Sequence, residues 1–64
     1  MMTMDRAALQ YTLEWVTTHD VAVSGAEVIT DLLPITRRVD DLDIRDEELR
    51  AAVARIESRR LVGV

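Results

Sequence analysis

The side chains that could do covalent chemistry are few: one histidine, His19, two serines, Ser24 and Ser58, and no cysteine among 64 residues. A serine nucleophile needs a base within hydrogen-bond reach and a third group to orient that base. His19 is the single imidazole, and Ser24 is better explained as a helix cap, so no nucleophile and base pair up. No glycine-rich phosphate loop occurs. The acids Asp40, Asp41, Asp43 and Asp46 invite a calcium reading, but an EF-hand loop needs glycine at its sixth position and glutamate at its twelfth. Counting from Asp41, these are Asp46 and Ala52. The sequence therefore predicts no enzyme, no catalytic residue, no cofactor and no metal, and its acidic run reads as a solvated charge cluster.

What remains is recognition. All eight basic residues are arginine, against twelve acids, for a net charge of -4. An arginine-only, asparagine-free composition fits a GC-rich genome or adaptation to high salt. A net negative chain is repelled from nucleic acid and from anionic membranes unless its positive charge is clustered. No apolar run approaches a membrane span, and Met1-Met2-Thr3-Met4-Asp5 lacks the basic start and apolar stretch of a secretory signal, so the expectation is a cytoplasmic protein. With 48% hydrophobic and 31% charged residues the chain reads as a single small folded domain over 1–64. It must hold together without disulfides or a thiolate zinc site.

Residues 4–18 repeat with helical spacing. Leu9, Leu13 and Val16 form one apolar stripe, and Arg6, Gln10, Glu14 and Thr17 gather opposite. A second stripe, Met4, Ala8, Tyr11 and Trp15, lies beside the first and makes the apolar arc wider than one packing partner needs. It reads either as the roof of the core or as a partner or dimer surface, where aromatics are enriched. His19 and Asp20 close this helix. Val23-Ser24-Gly25-Ala26-Glu27-Val28 then carries a capping box, Ser24 with Glu27, and a hydrophobic staple, Val23 with Val28. The helix it opens is expected to run through Val28, Ile29, Leu32 and Leu33 and to stop before Pro34.

Just upstream, Val21-Ala22-Val23 favours a minimal strand. Residues 35–44 read as a charged connector, and Asp43 as the cap of a third helix that buries Leu49, Ala52, Val53 and Ile56. Its acids lie early and its arginines late, as the helix dipole favours. Leu61-Val62-Gly63-Val64 reads as a strand that pairs with Val21 to Val23.

Helix, strand, capped helix, connector, helix, strand resembles the order of a winged helix-turn-helix domain. The resemblance is carried by Leu9, Leu13 and Val16, by Val21 through Leu33, and most of all by Glu48 through Val62, which looks like a recognition helix running into a first wing strand. The connector between Pro34 and Asp43 is longer than the family's tight turn, and Val64 falls where a wing hairpin would only be starting, so the resemblance implies a wingless or trimmed member. The expected fold is mainly α: a three-helix winged-helix-like domain with a minimal two-stranded β ladder. In the family the third helix typically enters the major groove. Here the face opposite Leu49 and Val53 carries Glu47, Ala51, Ala54, Arg55 and Ser58. It is small and mixed in sign, open either to another helix or simply to solvent.

Two functions follow. The first is a non-enzymatic interaction module or small regulator that binds protein, as a homodimer or on a larger partner, through Met4, Ala8, Tyr11 and Trp15. The alternative is a DNA-binding transcriptional regulator whose Arg37, Arg38, Arg45, Arg50, Arg55 and Arg59 contact phosphate or base edges. The acidic balance and the bland outer face of the third helix put the first ahead. Residues 35–64 hold seven arginines and seven acids and are neutral overall.

Overall fold

The computed structural model describes residues 5–62, which form three helices. Helix α1 spans Asp5–Thr18. Its C-terminus is a complete Schellman closure: Val21 N–H bonds Val16 O (3.1 Å) and Asp20 N–H bonds Thr17 O (3.2 Å). Asp20 supplies the left-handed residue, with φ 54°, where glycine is the usual choice. The helix ends at the residues the sequence indicates, and the His19 ring adds a 2.9 Å contact between Nδ1 and Trp15 O.

Helix α2 is continuous over residues 25–38, built from an α turn (Gly25–Glu27), a π turn (Val28–Leu32) and a second α segment (Leu33–Arg38). Both halves of the capping box form: Ser24 Oγ accepts from Glu27 N (3.2 Å) and Glu27 Oε1 accepts from Ser24 N (2.9 Å). The expected stop before Pro34 does not occur. Proline has no N–H to give and its ring crowds the carbonyl four residues back, which normally breaks a helix. Here the preceding turn widens instead, Leu33 stays helical (φ -57°, ψ -41°) and its N–H reaches back five residues to Val28 O. Running through the proline buries Ile35 and Thr36 as well as Val28 and Leu32. The connector thereby shrinks to residues 39–41, and helix α3 follows over Leu42–Val62. Its cap is Asp41 rather than Asp43: Asp41 Oδ1 accepts from Asp43 N (2.9 Å) and Ile44 N (3.2 Å).

The expected two-stranded ladder is absent; no strand occurs among the described residues. The reason lies in where the backbone groups go. Val21 N–H is spent on the Schellman bond, Ala22 O accepts from Arg60 Nη1 (2.7 Å), and Leu61 and Val62 continue α3. Gly63 and Val64 lie outside the described residues.

Helix α2 is the central element and packs against both others, whereas among the described residues α1 and α3 come together through the long side chains of Tyr11 and Trp15, which reach Asp46. The core is Trp15, Val28, Leu32, Ile35, Leu49, Ala52, Val53 and Ile56, with Leu9, Tyr11, Val16, Val21, Val23 and Val39 packed at its edge. The α3 residues are those its periodicity indicates. Each interhelical turn is held by an arginine of α3: Arg60 on Ala22 O, and Arg45 on Val39 O (2.8 Å).

Candidate interaction surfaces

The stripe that reads either as the roof of the core or as a partner surface is turned inward where it is described. Trp15 is 6% exposed, and Ala8 and Tyr11 are half-buried; Met4 lies outside the described residues. A buried indole needs an acceptor for its N–H. The first turns of α3 supply one in Asp46, whose Oδ1 accepts from Trp15 Nε1 at 3.0 Å and from the Tyr11 hydroxyl at 3.3 Å. His19 stacks on the indole, ring centroids 4.2 Å apart, and the Arg45 guanidinium lies 4.7 Å from the Tyr11 centroid. Thr12, between these residues on the helix, is fully buried and shares a 2.8 Å hydrogen bond with Thr36. The aromatic pair thus sits at the joint between α1 and α3.

The stripe of Leu9, Leu13 and Val16 partly faces out. Leu13 is 46% exposed and Leu9 half-buried. With Arg6, Gln10, Glu14, Thr17 and Thr18 they line a shallow depression of about 480 Å³ on the outer face of α1.

A second depression, about 410 Å³, runs between α2 and α3. The two helices are antiparallel there, and their facing edges carry a series of ion pairs: Glu27 with Arg60 (2.6 Å), Asp31 with Arg59 (2.9 Å) and Arg38 with Glu48 (2.6 Å). Between the last two, the series has a gap. Arg55 lines the groove together with Thr30 and Pro34, and it has no ion pair or hydrogen bond among the described residues. Ile35, Ala51 and Ala52 also line the groove, and small side chains there leave room for close approach. Nothing in the sequence periodicity signals this groove, because it depends on α2 continuing past Pro34.

Of the six arginines considered for nucleic acid, Arg38, Arg55 and Arg59 are brought together in this groove. Arg38 and Arg59 are engaged with carboxylates there, and Arg45 is bound to the backbone of the α2–α3 turn and to the Tyr11 ring. Arg37 lies exposed near the end of α2, and Arg50 is exposed on α3 outside the groove lining. Among the described residues no three histidine or acidic side chains gather as metal ligands would, and no helix is long and apolar enough to cross a membrane. Compared with protein-family models, characterised proteins and solved structures, the chain matches none.

Proposed function

We propose that this chain is a non-enzymatic protein-interaction module, and that its partner seats in the groove between α2 and α3. One observation carries the reading: Arg55 stands without a partner among the described residues, in a groove whose other two arginines, Arg38 and Arg59, already hold carboxylates. A guanidinium so placed can take a carboxylate in a bidentate, charge-assisted pair. The occupant that fits is an acidic segment of another protein, laid over Ala51 and Ala52 with a glutamate or aspartate reaching Arg55. Removing Arg55 has little consequence for the fold, since its head group has no partner among the described residues.

The DNA-binding alternative stands second. It asks Arg38, Arg45 and Arg59 to leave intramolecular partners for phosphate, on a chain of net charge -4. The test is a titration of isotope-labelled protein with a short glutamate-rich helical peptide, read by amide and arginine side-chain chemical shifts. Saturable shifts confined to residues 30–38 and 48–59, lost on Arg55→Gln, are expected. Diffuse shifts that survive the substitution, or none, overturn the groove reading. Tight, steeply salt-dependent binding of a random DNA duplex in the parallel titration would put the alternative first.

A further inference from the structure

Among the described residues no element covers the outer face of α1, although Leu13 stands 46% exposed there with Leu9 beside it. Its charges are arranged in a particular way. Arg6 and Glu14 lie four residues to either side of Gln10, all three lining the same depression. A two-fold axis through Gln10, perpendicular to the helix, carries Arg6 onto the position of Glu14 and the reverse. A face with that property is complementary to itself in an antiparallel pair, as an isologous interface requires.

Both charges also run against their own helix. Arg6 is in the first turn of α1, where the dipole favours an acid, and Glu14 is about a turn from its C-terminus, where it favours a base. In an antiparallel pair each charge lies beside the opposite end of the neighbouring helix, and both mismatches become matches. Parallel packing would place like on like and gain nothing.

We propose that the outer face of α1 binds a second copy of this chain, α1 antiparallel to α1, with Leu9 and Leu13 at the contact and two reciprocal pairs between Arg6 and Glu14 of the partner subunit. This surface shares no lining residue with the α2–α3 groove, so the two readings stand or fall separately. The nine residues from Arg6 to Glu14 span roughly 12 Å of helix, so the contact is short and the dimer weak, forming at high micromolar concentration.

Sedimentation equilibrium of the full chain, with far-UV circular dichroism to verify folding, tests it. The wild-type chain is expected to dimerise. Arg6→Glu or Glu14→Arg alone replaces two attractions by two repulsions and should weaken the dimer roughly tenfold. An equimolar mixture of the two variants should recover association as a heterodimer, because both contacts are again between opposite charges, one as in the wild type and one with its signs reversed. Leu13→Glu, at an exposed position, should leave a folded monomer. A wild-type chain that stays monomeric at millimolar concentration, a dimer indifferent to both charge reversals, or a mixture no tighter than its components would each overturn the proposal.

Discussion

The indole N–H of Trp15 and the carboxylate of Asp46, 31 residues apart in sequence, meet at 3.0 Å across the space between α1 and α3. The same oxygen accepts from Tyr11, so one carboxylate joins two helices that otherwise touch little. Asp46→Ala strands the buried indole donor and should destabilise the fold by about 1–3 kcal/mol. Asp46→Asn keeps an acceptor oxygen in place and should cost clearly less. Urea unfolding followed by circular dichroism separates the two; equal losses would mean that the oxygen's hydrogen bonds contribute little.

Thr12 and Thr36 form the other polar contact inside the core. A hydroxyl has one proton, so Thr12, which donates to Ala8 O at 2.7 Å, must accept from Thr36 in the 2.8 Å bond between them. Thr12→Val removes the acceptor and leaves the Thr36 hydroxyl buried without it, an expected loss of about 1–3 kcal/mol. Replacing both by valine removes donor and acceptor together and should restore most of the stability. A double-mutant cycle of unfolding free energies measures the coupling.

Asp20 holds a left-handed backbone conformation at the end of α1, and its negative charge faces the negative end of the helix dipole. Glycine adopts that conformation without a Cβ penalty. Asp20→Gly should raise stability by about 0.5–1 kcal/mol, even after the extra entropy glycine brings to the unfolded chain. A lowered thermal midpoint would show that the aspartate side chain contributes something the closure geometry does not reveal.

Glu27 serves twice: its Oε1 accepts from Ser24 N and from Arg60 Nη2. Ser24→Ala should cost about 1 kcal/mol through loss of one half of the capping box. Glu27→Ala should cost more, because it also releases the guanidinium that holds Ala22 O. Comparing the two urea midpoints decides it; a larger loss from Ser24→Ala would mean that the Arg60 contact adds no stability.

The capping box, the end of α1 and the buried face of α3 were legible because each depends on residues within one or two helical turns of each other. The orientation of α1 was not. Its wheel carries two apolar stripes of similar weight, and what turns Trp15 inward is an acceptor 31 residues away and a threonine partner 24 residues away. Pro34 misled for a related reason: its local preference ends a helix, but Ile35 and Thr36 have buried places that only a continued α2 can reach. The ladder failed because Val21 and Ala22 meet their hydrogen-bond needs through α1 and Arg60. The groove could not be seen until α2 had its full length.

The π turn over Val28–Leu32 has one further consequence. A π turn holds one more residue than the α turn it replaces. On its two sides α2 is fastened separately, at Glu27 to Arg60 and at Thr36 to Thr12 and Arg38 to Glu48. The turn therefore stores a single residue of slack between two anchored halves. Shortening the chain by the exposed Ile29 would let the turn close to α geometry with both anchors in register, making this the place in the molecule where a change of length is absorbed rather than transmitted.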